Sequence, residues 1–296
     1  MQGVPTRYLA GFPTPERALV MGVLNVTPDS FSDGGQWFEP DRAIAHGAEL
    51  LAEGADLVDV GGESTRPGAQ RPSEEEELRR VLPVVRALAA DGALVSIDTM
   101  RANVARAAVD AGAVMVNDVS GGLADPEMLP FVASAGVGYI CMHWRGHSDQ
   151  MQSRAVYTDV VAEVLAELQA RVEAALAAGI APDRIAIDPG LGFAKTGEHN
   201  WALLGALDRF TALGYPVLVA ASRKTFLGTL LADPATGQPR RTLERDDASA
   251  ALAALAARAG AWCIRAHAVR PTLDAVKVAA RFAAAERAAA QAEVDG

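Results

Sequence analysis

Residues 19–25 read Leu19-Val20-Met21-Gly22-Val23-Leu24-Asn25, an almost unbroken apolar run that ends on one polar side chain. Alternation of polar and apolar residues would mark a strand with one wet face. A continuous run instead marks a strand covered on both sides, as in parallel sheets. The same grammar recurs at Leu57–Gly61, Leu94–Asp98, Val114–Asp118, Val137–Met142, Ile185–Asp188, Val217–Ser222 and Cys263–His267. Between them lie stretches such as Asp41–Glu53, Arg101–Ala111, Val156–Ala178 and Leu273–Ala288, with apolar residues three and four apart, the spacing of amphipathic helices. Eight strand–helix units in 296 residues predict a closed (β/α)8 TIM barrel, with residues 1–296 forming one domain. Ser73 followed by Glu76 predicts a capping box, and the run Glu74–Glu77 reads as a solvated acidic cap at a helix N-terminus.

Glycine-rich and polar segments follow the strands, whereas the connections into the strands are short. In a parallel barrel the strand C-termini share one rim, and the loops leaving them build the pocket. The segments Thr27–Pro40 and Gly62–Pro72 are long enough to close over a ligand. Five strands end in polar groups: Asn25, Asp98, Asn117 with Asp118, Asp188, and His267. One such Asp alone is as readily a helix cap as a site residue, but together these groups supply acceptors and amide donors for a flat heterocycle with exchangeable protons. A second, basic set comprises Arg66, Arg223, Lys224, Arg265 and His267. Rim cations often only reach into solvent. At the ends of the seventh and eighth strands, however, they stand where barrels bind phosphate, and they imply a phosphorylated substrate.

The net charge of −10 argues against broad nucleic-acid binding. No apolar run is long enough to span a bilayer and no leader peptide is visible, so the expected compartment is the cytoplasm. Cys141 and Cys263 sit in apolar runs, as small hydrophobes do. His143 and His147 are a weak zinc pair across a loop. Mg²⁺ needs only one or two protein oxygens beside a phosphate, and Asn25 and Asp33 can supply them. No Walker A sequence, dinucleotide fingerprint or nucleophile elbow is present.

The segment Met21-Gly22-Val23-Leu24-Asn25-Val26-Thr27-Pro28-Asp29-Ser30-Phe31-Ser32-Asp33-Gly34-Gly35 closely resembles the first signature of the dihydropteroate synthases. Asp59-Val60-Gly61-Gly62-Glu63-Ser64-Thr65-Arg66-Pro67-Gly68 resembles the second. Ser96–Thr99, Asn117–Gly121, Asp188–Gly190 and Ser222–Lys224 resemble the remaining blocks, in family order along nearly the whole chain. The resemblance implies a barrel, usually a homodimer, that condenses 6-hydroxymethyl-7,8-dihydropterin diphosphate with p-aminobenzoate and is inhibited by sulfonamides. It implies a pterin pocket of Asp98, Asn117, Met142, Asp188, Lys224 and Arg265, with Asn25 on a diphosphate-bound Mg²⁺. Arg265 and His267 would hold diphosphate oxygens, and Asp33 would join as its loop orders. Thr65, Arg66, Pro67, Phe193, Lys224 and Thr225 would form the p-aminobenzoate site.

The chain departs from the family pattern at Ala268, where Asp is common beside the histidine, and at Ala194 and Ala220, where Gly is common. The first weakens the role assigned to His267. Two other readings compete: a methyltetrahydrofolate-dependent corrinoid methyltransferase, which shares the strand-end acids and amides, and a non-catalytic pterin-binding protein. Methyl transfer requires neither the basic set nor the Thr65-Arg66-Pro67 loop, and a silent binder is expected to lose Asn25, Lys224 or Arg265, all of which are present.

Overall fold

The computed structural model describes residues 8–27, 40–63, 71–146 and 151–295. Its strands are β1 (Leu19–Asn25), β2 (Leu57–Gly61), β3 (Val95–Asp98), β4 (Met115–Asp118), β5 (Gly138–Met142), β6 (Ile185–Asp188), β7 (Leu218–Val219) and β8 (Cys263–Ala266). All pair in parallel in the order β6-β5-β4-β3-β2-β1-β8-β7. A bridge between Ile187 and Val217, with Ile187 N–H bonded to Pro216 O at 2.8 Å, brings the two ends together. The result is the expected TIM barrel, nearly closed, with its thinnest seam between β6 and β7. Several strands are a residue shorter than the apolar runs suggested, and β7 is two residues rather than six. Hydrophobicity continues beyond the last ladder hydrogen bond because residues 220–222 stay buried or half-buried while turning toward the next helix.

Around the strands lie α1 (Pro40–Ala52), α2 (Glu74–Ala90), α3 (Ala102–Asp110), α4 (Met128–Ala135), α5 (Val160–Ala177), α6 (Gly197–Gly205), α7 (Leu207–Thr211), α8 (Thr225–Leu230), α9 (Asp246–Arg258) and α10 (Val269–Asp295). Among the described residues, no helix is long and apolar enough to cross a membrane.

Strand side chains alternate faces, and that alternation divides the apolar residues into two shells. Val20, Leu24, Val58, Val60, Ile97, Val116 and Ile264 pack outward against the helices. Leu19, Met21, Leu57, Met115, Ile140, Ala186, Leu218 and Cys263 fill the interior, and Leu9, Phe12 and Trp262 join the same cluster. Phe12 meets Trp262 edge to face at 6.1 Å. The barrel interior is therefore a packed core, and the fold leaves site building to the rim where the strands end.

Two expectations about α2 change. Ser73 Oγ accepts the Glu76 N–H at 3.2 Å, but the Glu76 carboxylate turns to Arg79 and Arg80 rather than back to the cap. Guanidinium partners on the next turn hold Glu76 well below the usual carboxylate range, at about 2, the Arg79 hydrogen bond contributing most. Glu77 is not solvated: it is fully buried, accepting from Thr99 Oγ1 at 2.6 Å and pairing with Arg101. Consecutive residues of a helix fan around its axis, so one end of an acidic run faces inward.

Candidate active site

The interior positions of each strand can be counted upward from the packed layer. Met21 leads by twos to Asn25, Leu57 to Asp59, Ser96 to Asp98, Met115 to Asn117, Ile140 to Met142, Ala186 to Asp188, and Cys263 to Arg265 and His267. The backbone repeat of two thus delivers Asn25, Asp98, Asn117, Met142, Asp188, Arg265 and His267 to one rim.

Asp59 stands at the centre of this ring. It is fully buried, and its Oδ2 accepts from Asn117 Nδ2 at 2.9 Å and from Arg265 Nε at 2.6 Å. Arg265 also donates through Nη2 to Asp98 Oδ2 at 2.7 Å. One guanidinium therefore ties three strands together. Burial works against the Arg265 charge, but the two carboxylates outweigh it and raise its pKa. Asp98 is pushed up from the ordinary carboxylate value, chiefly by burial and further by the nearby Asp59, with Arg265 opposing. Asp59 lies inside the second signature, yet its chemistry gave no reason to rank it above its neighbours. The signal available was its parity with Leu57, which puts a carboxylate inside the barrel.

Asp188 ends β6, and its Oδ1 accepts Gly190 N–H at 2.7 Å. Gly190 has φ 69°, and a Cβ there would lie 2.3 Å from the His143 carbonyl oxygen, so this turn admits only glycine. Lys224 Nζ donates to Leu191 O and lies 4.7 Å from the centre of the Phe193 ring. Burial lowers the Lys224 pKa to about 8, with Asp188 opposing and Arg265 adding to the fall. Burial likewise raises Asp188, against the pull of Lys224. Met142, Met100 and Val119 form a small apolar cluster separate from the two main shells, with Phe193 and Trp144 packed on its edge. A flat ring system thus has an apolar wall, and hydrogen-bonding groups stand beside it. Thr225 is exposed as the first residue of α8.

His267 accepts orientation from Ser222: the backbone N–H donates to Ser222 Oγ at 3.2 Å, and ring Nδ1 lies 3.1 Å from the same hydroxyl. This contact fixes the ring without the carboxylate that Ala268 lacks. Ala194, in place of the common glycine, has φ 49° with its methyl fully buried. The chain accepts this left-handed backbone at a cost of roughly 1–2 kcal/mol.

Two rim candidates leave the pocket. Asp118 has the parity of Val116 and points outward, where it accepts from Ser120 N–H at 2.8 Å, Gly122 N–H at 2.7 Å and Tyr139 Oη at 3.0 Å. It shapes the turn after β4. Arg223, left-handed at φ 60°, bonds Asp246 through Nε and Nη2 at 2.6 and 2.7 Å, tying β7 to α9. Asp33, Thr65, Arg66, Pro67 and His147 lie outside the described residues.

A second polar group lies behind Phe193. Buried Lys195 places Nζ 2.9 Å from His143 Nδ1, and His143 Nε2 is 3.0 Å from Glu167 Oε2. An ammonium can only donate, so Nδ1 accepts and Nε2 carries the proton toward Glu167. Burial lowers His143 to about 4 and Lys195 to about 7.

The family described as pterin binding enzyme matches residues 21–267. Dihydropteroate synthase of Mycobacterium leprae is 56% identical over 260 residues, covering 88% of this chain and 91% of its own length. This chain belongs to the dihydropteroate synthases. Among solved family structures, the Yersinia pestis enzyme in a sulfonamide drug complex aligns with TM-score 0.85 at 40% identity, covering 93% of this chain and 98% of that one. The Xanthomonas albilineans dihydropteroate synthase with 4-aminobenzoic acid aligns with TM-score 0.81 at 46% identity, covering 88% and 92%.

Proposed function

We propose that this chain joins 6-hydroxymethyl-7,8-dihydropterin diphosphate to p-aminobenzoate, giving 7,8-dihydropteroate and pyrophosphate. Dihydropteroate synthase from Xanthomonas albilineans is solved both with 7,8-dihydropteroate and with 4-aminobenzoic acid. The observation that carries the reading is the interior ring in which Asp59 holds both Asn117 and Arg265 while Arg265 reaches Asp98. Amide and carboxylate groups at Asn117 and Asp188 match the donors and acceptors of a pterin edge, and Lys224 supplies a cation beside them.

The reaction breaks the exocyclic carbon–oxygen bond and forms a carbon–nitrogen bond, with the arylamine losing one proton. As the carbon–oxygen bond lengthens, positive charge develops on the dihydropterin ring and the Asp98 carboxylate offsets it. Arg265 and His267 take the departing diphosphate oxygens. The neutral amine attacks from the Phe193 side, positioned rather than activated. Lys224 and the Thr225 hydroxyl, with Thr65, Arg66 and Pro67, hold the second substrate. This arrangement also admits sulfonamides as competitors of p-aminobenzoate.

Asn25 suits a magnesium ion held mainly by diphosphate: its half-buried carboxamide ends β1, and its side chain has no hydrogen-bond partner among the described residues. No group of three His, Cys, Asp or Glu able to hold a metal occurs among the described residues. Asn25 would hold Mg²⁺, with Asp33 joining, and the ion would neutralise leaving-group charge. The chain acts as a homodimer in the cytoplasm. Support for the dimer comes from Leu255 on α9 with Val278 and Phe282 on α10, each more than half exposed on helices that pack together.

Pyrophosphate release is expected only when Mg²⁺ and both substrates are present. Lys224→Ala should raise the pterin KM by about 10-fold or more, and Thr225→Ala mainly the p-aminobenzoate KM. Release with either substrate alone, or none with both, would reject the assignment.

A further inference from the structure

Phe193 sits on a loop whose backbone is held at every step. Gly190 N–H bonds Asp188 at 2.7 Å, Leu191 O accepts from Lys224, and Gly192 N–H bonds Asn200 Oδ1 at 2.7 Å. The next two carbonyls, of Phe193 and Ala194, are held differently, because their partners close a circuit of charged and polar side chains that the reaction above does not use. Lys195 Nζ donates to Phe193 O at 3.0 Å and meets His143 Nδ1 at 2.9 Å. His143 passes to Glu167, and Arg145 grips Glu167 and Glu163, its Nη2 lying 2.8 Å from Glu163. The Arg145 guanidinium lies 3.9 Å over the Tyr157 ring, and Tyr157 Oη donates to Ala194 O at 3.0 Å. The circuit starts at one carbonyl and returns at the next.

We propose that this Lys195–His143–Glu167–Arg145–Tyr157 circuit is a positioning device that fixes the Phe193 ring and thereby sets the affinity for the arylamine substrate rather than for the pterin. Stability alone does not call for it, since apolar side chains of similar volume fill such space at least as well as a buried cation with its partners. The circuit supplies direction. Gly190, Gly192 and Ala194 all have positive φ, at 69°, 80° and 49°, a backbone path that an untethered loop would seldom keep. With both carbonyls pinned, the Phe193 ring just before them is held against Met142 and under Lys224. His143, just after β5, holds the loop's own Lys195, while Tyr157, from the connection before α5, holds the Ala194 carbonyl, so the segment is gripped from two directions.

The inference rests on Phe193 bordering the p-aminobenzoate site. Steady-state kinetics of the full chain with Tyr157→Phe, which deletes one hydroxyl, and Lys195→Met, which keeps the stem and deletes the ammonium, tests it. Both variants should raise the p-aminobenzoate KM about 5- to 10-fold, with kcat and the pterin diphosphate KM within about two-fold of wild type. If Lys195→Met does not fold, Tyr157→Phe decides alone. An unmoved p-aminobenzoate KM in folded Tyr157→Phe, an equal rise in both KM values, or a loss carried by kcat overturns the proposal. A wild-type chain that forms no dihydropteroate removes the functional reading, and this inference with it.

Discussion

Asp59→Ala is the perturbation whose cost the structure specifies most fully. The substitution leaves Asn117 Nδ2 without its acceptor and strips Arg265 of one of two carboxylates, both inside the barrel. A buried donor left unpaired costs about 1–3 kcal/mol. Breaking a buried ion pair outright costs about 3–5 kcal/mol, but Arg265 keeps its bond to Asp98 Oδ2, so the lower end applies. Two offsets reduce the sum. Asp59 Oδ1 is buried with no partner, so part of its own burial cost is recovered, and its repulsion of Asp98 disappears. The net expectation is about 3–4 kcal/mol. With unfolding entropy near 2.1 cal/mol/K per residue, a chain of 296 residues loses roughly 5–6 °C in Tm. Binding of a pterin analogue should fall about 10-fold or more, since Asn117 and Arg265 lose their common tether. Differential scanning calorimetry and isothermal titration calorimetry read the two effects. Asp59→Asn, which keeps one acceptor oxygen, should lie between wild type and Asp59→Ala. A Tm within 2 °C of wild type together with unchanged pterin affinity would refute Asp59 as the organising residue.

His143 predicts an acid-side loss of stability. Its folded pKa, about 4, lies below the ordinary 6.5, so between these values the unfolded chain binds the extra proton and stability falls as pH drops. The full span is worth about 3 kcal/mol and is absent above pH ~6.5. His143→Gln should flatten the Tm profile from pH 6.5 to 4.5 relative to wild type, and parallel profiles would count against a buried neutral imidazole. The dimer reading predicts a solution mass of two chains by light scattering, shifted toward one chain by Phe282→Glu. A monomeric wild type at micromolar concentration would end it.

Much of the architecture could be read residue by residue. Continuous apolar runs marked buried parallel strands, and the repeat of two fixed which side chains face inward, so the convergence of Asn25, Asp98, Asn117, Met142, Asp188, Arg265 and His267 was implicit in where each run began. Motif order carried the family. These are local properties, set by backbone geometry within a single strand. Pairings were not legible. Asp59 and Arg265 are 206 positions apart, Asn117 and Asp59 are 58 apart, and Lys195 and His143 are 52 apart. Glu77 looks like its three acidic neighbours until α2 packs on β3 and brings Thr99 and Arg101 to it. Asp118 and Asn117 differ only by one step of the pleat, yet one shapes a turn and the other faces the site. Strand periodicity tells a side chain which face to occupy. Only closure of the barrel, which brings distant strands side by side, determines the partner it meets there.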